Sequence, residues 1–246
     1  MQPCREGNAH VFEMLGLIGI DRDGGFATYV MAAQDQLVPV PDTVNDEQAA
    51  VIEPISVTVH AVRNSRFQPG NTALVTGGGP IGILLAQVLR ATGAREVVLS
   101  EVKAFRRAVA KRLGFLTVNP AEENTPEALE RSVGQRFVDC VFEASGFPAA
   151  YKDAVQSCKV RGEVSFVGIP KSPPEVDILN VVFKEIQASS ARVYTPHHFR
   201  AAIALLARRA VDVLPLITDQ LPLRDAPLGF RKMLATDTSL EIPFAP

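Results

Sequence analysis

Thr72–Glu101 reads TALVTGGGPIGILLAQVLRATGAREVVLSE. The opening apolar run, Ala73-Leu74-Val75, has the continuous hydrophobicity of a strand buried on both faces. A glycine cluster follows, Gly77-Gly78-Gly79-Pro80-Ile81-Gly82. Ile83 to Thr92 is then apolar at helical spacing and stops at Gly93. A second strand, Glu96 to Ser100, ends on Glu101. Strand, glycine turn, helix, strand and acid form the order of a nucleotide-binding βαβ unit. Gly77 permits the tight turn out of the strand, and Gly79 leaves room for a pyrophosphate against the backbone. Gly82 lets the helix pack closely on the sheet. The helix N-terminus offers unpaired N–H groups and a positive dipole end that suit phosphate. Glu101, 19 residues past Gly82, is placed to accept hydrogen bonds from the adenosine ribose.

Outward from this unit the chain alternates strand and helix. A helix is expected over Lys103 to Leu113, a strand over Thr117 to Asn119, and a helix over Glu127 to Val133. Strands at Phe137 to Glu143 and Glu163 to Val167 flank a helix from Pro148 to Cys158. Val181 to Ser190 is expected to hold the last strand, and Thr195-Pro196 to start a helix running through Ala207. Repeated βαβ units require a parallel, doubly wound α/β sheet. Residues 66–210 form this expected Rossmann domain.

Residues 1–65 have a different character. Asp23-Gly24-Gly25 reads as a hairpin turn and Phe26 to Met31 as a strand. Asp46 to Ser65 reads as helix, broken into two pieces near Pro54. Residues 211–246 return to the style of the first segment, with Asp225 before a helix over Ala226 to Leu234.

Composition narrows the function. The chain has 246 residues, 47% of them apolar, enough for a large core. Its net charge of −2 and its lack of long basic runs argue against nucleic acid as a partner. No apolar run approaches membrane-spanning length. Three widely spaced cysteines do not read as a disulfide framework. No nucleic acid, no membrane and a cytoplasmic setting are the expectations.

EPISVTVHAV, GGGPIG, FEASG and SFVGIP together resemble the zinc-type medium-chain dehydrogenases of the alcohol dehydrogenase superfamily, nearest the sorbitol, threonine and sugar-acid branch. The resemblance implies that residues 1–65 are part of a GroES-like β-rich catalytic domain with its bridging helices. It implies that residues 211–246 return to that domain, and that the family's own beginning lies upstream of Met1. It implies NAD(H), in preference to NADP(H), bound by Gly77, Gly79, Pro80, Ile81, Gly82 and Glu101. Arg106 would flank adenine, Ser145, Gly168 and Ile169 the nicotinamide, and Arg192 the cofactor. In the same family a glutamate at the position of Glu53 faces a catalytic zinc. The expected cysteine and histidine-glutamate ligands would lie upstream, which leaves Glu53 as a vestigial or incomplete metal position.

The same comparison accounts for further residues. Cys4 resembles the third of four cysteines on a structural zinc, but Phe12 stands where the fourth would fall. The lysine that usually enters the last strand is absent from Thr238-Ser239-Leu240-Glu241-Ile242. His60, one helical repeat from Glu53, reads as packing, and His197 and His198 as solvated first-turn residues. Cys140 and Cys158 read as buried thiols. The implied activity is hydride transfer between NAD(H) and a secondary alcohol or ketone, a polyol or sugar acid, expected to be impaired in a chain without the upstream ligands. No catalytic residue is assigned. A cofactor-binding protein without turnover and a zinc-independent reductase of the same superfamily are the alternatives. A homodimer or homotetramer is expected through the edge strand in Val181 to Ser190, which in that family pairs with its copy.

Overall fold

The computed structural model describes residues 9–11, 15–234 and 238–245. Cys4 and Phe12 lie outside the described residues. A six-stranded parallel sheet organises the rest, in the order β3-β2-β1-β4-β5-β6. Its strands are β1 (Thr72–Thr76), β2 (Glu96–Ser100), β3 (Leu116–Val118), β4 (Val138–Glu143), β5 (Cys158–Phe166) and β6 (Gln187–Ser190). The helices are α1 (Asp46–Ala49), α2 (Ile52–Asn64), α3 (Pro80–Ala91), α4 (Ala104–Arg112), α5 (Thr125–Val133), α6 (Pro148–Ser157), α7 (Ile178–Phe183), α8 (Pro196–Ala207) and α9 (Ala226–Leu234). A two-residue parallel pair, β7 (Leu221–Pro222) with β8 (Phe244–Ala245), stands apart from the main sheet.

Strand alternation divides the core into two layers. Ala73 and Val75 of β1, Val97 and Leu99 of β2, and Cys140 and Phe142 of β4 face α2, α3, α4 and α8. Leu74, Val98 and Val141 face the other way, toward α5 and α6. Burial on both faces explains why these strands read as unbroken apolar runs. A fully buried leucine such as Leu74 contributes about 1.5–3 kcal/mol relative to leaving it in water.

The strand order reverses between β1 and β4, so a crevice opens at the carboxyl ends of these two strands. β1 lies in register with both neighbours: Thr76 stands opposite Ser100 on one side and Glu143 on the other. The turns that follow these three residues therefore meet at one rim.

Four local expectations need correction. Phe26 to Met31 is not a strand, and Tyr29 and Met31 are about nine-tenths exposed. β-forming side chains do not make a strand without a neighbour to pair with, and none of the described segments pairs there. The turn before it sits at Gly19–Arg22, where the Gly19 N–H donates to the Arg22 carbonyl at 2.8 Å. Val181 to Phe183 belong to helix α7 rather than to the last strand. Asp177 caps that helix by accepting the Asn180 N–H at 3.0 Å, which leaves only Gln187–Ser190 extended. The break in the Asp46–Ser65 helix falls at Ala50–Val51, so Pro54 sits inside the first turn of α2, where its missing N–H costs nothing.

The segments flanking the sheet touch one another. Phe26 lies 5.6 Å from Phe230 and 5.3 Å from Phe244, ring centre to ring centre. This aromatic cluster joins an early segment to α9 and β8.

Candidate functional site

β1 passes into α3 through Gly77, whose φ of +101° is the left-handed region open to glycine. A side chain at Gly77 would also press on Ser145, with a Cβ only 2.9 Å from the Ser145 Cβ. Gly82 is tighter still, since a Cβ there would lie 1.8 Å from the Gly77 carbonyl oxygen. Gly79 differs: a Cβ would meet only Arg106 Nη1, at 3.6 Å, so the space above it is open. Gly79 is the N-cap of α3, and no side chain caps it. With Pro80 lacking an N–H, Ile81 and Gly82 carry N–H groups at a positive dipole end. Unpaired N–H groups and open space above Gly79 thus stand together at this helix start.

Glu101 lies at the rim, 6% exposed. Its Oε2 accepts the Gly78 N–H at 2.6 Å and its Oε1 accepts the Lys103 N–H at 2.8 Å. Arg106 Nη1 stands 3.8 Å from Oε2, and Arg107 fastens the same turn by donating to the Glu101 and Val102 carbonyls. A carboxylate oxygen accepts more than one hydrogen bond, so Glu101 keeps acceptor capacity while its position is already fixed. Arg106 Nε is buried with no hydrogen-bond partner.

The ends of β4 and β5 complete the rim. Glu143 is fully buried, and its Oε1 accepts the Ser145 N–H, the Ser145 hydroxyl and the Gly146 N–H at 2.8, 2.5 and 3.0 Å. Tyr151 of α6 donates to the Gly168 carbonyl at 3.0 Å. Burial, and then the Glu143 charge, push the Tyr151 hydroxyl up to about 12. The sequence placed Glu143 only as a strand end. The structure makes it the group that holds the Ser145–Gly146 turn against Gly168.

A cavity of about 540 Å³ runs along this rim. Gly77, Gly79, Glu101, Arg106 and Ser145 line it, with Val102, Pro120 and Phe147 as apolar walls. The residues that line it also include Asn124, Thr125, Asp153 and Gln156, which sequence reasoning did not single out. Ile169 is 85% exposed and Gly168 lies behind the Ser145–Gly146 turn; neither lines this cavity. Arg192 is exposed and stands outside it as well.

Glu53 lies in the first turn of α2. It is exposed as a residue, yet packing around its carboxyl raises the pKa by desolvation, against a hydrogen bond from the Tyr194 hydroxyl. Tyr194 is itself pushed up to about 12, by burial and then by the Glu53 charge. Glu241, in the stretch where the lysine is missing, is pushed up to about 7 by burial and by Glu53. His60 does not join this group. Its ring packs 4.9 Å from His10 and 4.7 Å from His198. His198 is therefore half-buried rather than solvated, and its Nδ1 accepts the Thr195 N–H at 3.1 Å. Among the described residues no group of three or more His, Cys, Asp or Glu is arranged to hold a metal ion. Among the described residues the donors around Glu53 do not make a zinc site, and Cys140 and Cys158 are buried in the sheet.

Residues 80–208 match the zinc-binding dehydrogenase family. The chain belongs to that family. This dehydrogenase is 36% identical over 230 residues to the 2-dehydro-3-deoxy-L-galactonate 5-dehydrogenase of Pseudoalteromonas atlantica, covering 94% of its own length and 67% of the relative's. The crystal structure of 2R,3R-butanediol dehydrogenase from Bacillus subtilis superposes with a TM-score of 0.89 at 30% identity, over 96% of this chain and 69% of that one. A Sinorhizobium meliloti protein crystallised with NADP gives a TM-score of 0.86 at 30% identity, over 92% and 68% of the two chains. This dehydrogenase spans about two thirds of the length of these relatives. Membership makes it an oxidoreductase of a zinc- and NAD(P)-dependent family. Among the described residues no helix is long and apolar enough to cross a membrane.

Proposed function

We propose that this dehydrogenase holds NAD(H) along the rim of its sheet and serves hydride transfer to or from a secondary alcohol carbon of a polyol or sugar acid. The observation that carries the reading is Glu101: a buried carboxylate fixed by two backbone N–H groups, next to an uncapped helix start with open space above Gly79. Gly79, Pro80, Ile81 and Gly82 would cradle the diphosphate. Glu101 would take the adenosine ribose hydroxyls, and its charge would repel a 2′-phosphate, which favours NAD(H). Arg106, with its unpartnered Nε, would flank adenine. Ser145 would sit along the bound dinucleotide, with Gly168 and Ile169 toward the nicotinamide. Arg192, exposed here, would reach it only from outside the cavity.

The nicotinamide supplies the hydride chemistry when bound. The residues of this chain bind it, orient it and keep its turn rigid through Glu143. Among the described residues the donors around Glu53 do not form a site for zinc, and no step runs through it. The substrate class follows the relatives, which are dehydrogenases of sugar acids and diols.

The edge of the sheet supports self-association. Among the described residues β6 pairs only with β5, and beside it α7 exposes Ile178, Leu179, Val182 and Phe183. A second copy would pair the open strand and cover this apolar helix, giving a homodimer or a tetramer built on it. Light scattering at micromolar concentration checks this, and a monomer mass rejects it. Fluorescence titration checks the coenzyme, with NADH expected to bind more tightly than NADPH. The reverse order would overturn the role of Glu101. Screening polyols and sugar acids for NADH formation, with and without chelator, tests the reaction.

A further inference from the structure

The cavity does not end at the ribose acid. It continues between the start of α5 and the second and third turns of α6, where Asn124, Thr125, Asp153 and Gln156 line it. Val102, Pro120, Ala149 and Ala150 give it apolar surface, and Arg106 lines it beside Glu101. A slot with apolar faces and polar groups at its far edge suits a flat heterocycle. The dinucleotide reading, on which this inference rests, places the base next after the ribose held by Glu101.

Two carboxylates stand at that far edge, and they differ. Glu123 is paired with Arg131 and accepts the Asn119 N–H. Asp153 has its Oδ2 held by the Thr125 hydroxyl at 2.9 Å. That bond joins the first residue of α5 to the second turn of α6 and fixes where the carboxylate sits. Burial raises the Asp153 pKa, while the Thr125 and Ser157 hydroxyls work in the opposite direction. An ionised carboxylate is acceptor-only and takes more than one donor. Asp153 thus offers a positioned acceptor at the end of a base-shaped slot.

We infer that Asp153 reads the base of the coenzyme, accepting a hydrogen bond from the exocyclic 6-amino group of adenine. A 6-oxo purine would set a carbonyl oxygen against the carboxylate, two acceptors without a proton between them. Asp153 is a specificity residue in this scheme. Glu101 chooses between coenzymes at the ribose and Asp153 chooses at the base, so the two act on different atoms of one ligand.

The test compares the binding of NADH with that of reduced nicotinamide hypoxanthine dinucleotide, which differs at the 6-position of the base. A hydrogen bond to a charged group predicts that the wild-type chain favours NADH by at least about tenfold. Asp153→Asn supplies an amide N–H that can meet the 6-oxo group, so the ratio should move by about tenfold toward the hypoxanthine coenzyme. Equal wild-type affinity for the two coenzymes overturns the inference without any variant. So does an unchanged ratio in Asp153→Asn, provided thermal unfolding shows the variant folded. Failure of the wild type to bind NADH at all instead overturns the dinucleotide reading beneath it.

Discussion

Two glutamates, Glu101 at the rim of the sheet and Glu53 at the start of α2, are built differently. Glu101 is buried, each of its oxygens accepts a backbone N–H, and the glycine turn closes around it. Glu53 is exposed as a residue, accepts a hydrogen bond from Tyr194, and shares its surroundings with a second acid, Glu241. A carboxylate held by fixed N–H groups is ready for a ligand before the ligand arrives. The Glu53 carboxylate, raised in pKa by desolvation, takes its hydrogen bond from a side-chain hydroxyl and not from fixed backbone N–H groups. The difference teaches that, within the described residues, the surroundings of Glu101 are preorganised and those of Glu53 are not.

The strongest way to break the comparison is to destroy the preorganised surroundings of Glu101 at their tightest point. Gly82→Ala places a Cβ 1.8 Å from the Gly77 carbonyl oxygen, with backbone on both sides of the clash. The turn must then shift, and Glu101 loses its N–H donor from Gly78. Overpacking of this kind costs about 1–3 kcal/mol or more. NADH binding is expected to vanish from fluorescence titration, with a lowered thermal midpoint. Binding within tenfold of wild type would show that the turn is softer than its packing indicates.

Glu101→Gln is the next largest. It keeps the shape of the side chain but removes the charge and one acceptor. Losing hydrogen bonds to a charged group costs about 1.5–3 kcal/mol, so NADH affinity should fall by roughly 10- to 100-fold. NADPH should lose less, which narrows the preference between the two. Parallel titrations check both numbers, and an unchanged NADH:NADPH ratio would remove Glu101 from coenzyme choice.

The Glu101 side was legible in the sequence and the Glu53 side only partly so, for physical reasons. Ala73-Leu74-Val75 and Val141-Phe142 are apolar without interruption because both faces are covered. Gly93, Gly114 and Gly134 sit at positive φ just past helix ends, so their positions reported the stops. Phe26 to Met31 misled because a strand is a property of two segments, and the sequence displays one. Val181-Val182-Phe183 suits strand or helix alike, and the Asp177 cap four residues upstream decides it. Tyr194 and Glu241 reach Glu53 from segments more than a hundred residues away, and no spacing rule joins them. Asp153 is an ordinary helix residue until the cavity beside it is known.

A pH series sharpens the comparison from the side of α2. His198 is held down to about 4 by burial, with His60, Arg63, His197 and His10 adding like charge. His60 is lowered as well, by burial and by His10. A histidine whose folded pKa is depressed binds its proton first in the unfolded chain. Its contribution is therefore complete above the unfolded value of 6.5 and is lost as pH falls toward 4. With His198 half exposed to solvent screening, the loss is on the order of 1 kcal/mol. Thermal midpoints measured from pH 7.5 to 4.5 should decline, and His198→Gln, which can still accept the Thr195 N–H, should flatten that decline. An equally steep slope in the variant would assign the acid sensitivity to other groups.

The smallest effect is expected from Glu53→Gln, and it bears most directly on the comparison. Glu53 makes no contact with the cavity that Glu101 lines. NADH affinity should therefore stay within about twofold of wild type, under 0.5 kcal/mol. The folded pKa of Glu53 is raised, so its contribution to stability is present at low pH and is lost as pH rises through the folded value. Replacing it with an amide removes that loss and the repulsion of Glu241 together. The thermal midpoint at pH 8 should hold or rise slightly, by a change on the order of 0.5 kcal/mol, with no gain at pH 4. Two results would break the comparison. A tenfold loss of NADH affinity would mean that the two glutamates share one site. One zinc per chain by elemental analysis, lost in Glu53→Gln, would mean that Glu53 is held by a metal and is as fully organised as Glu101.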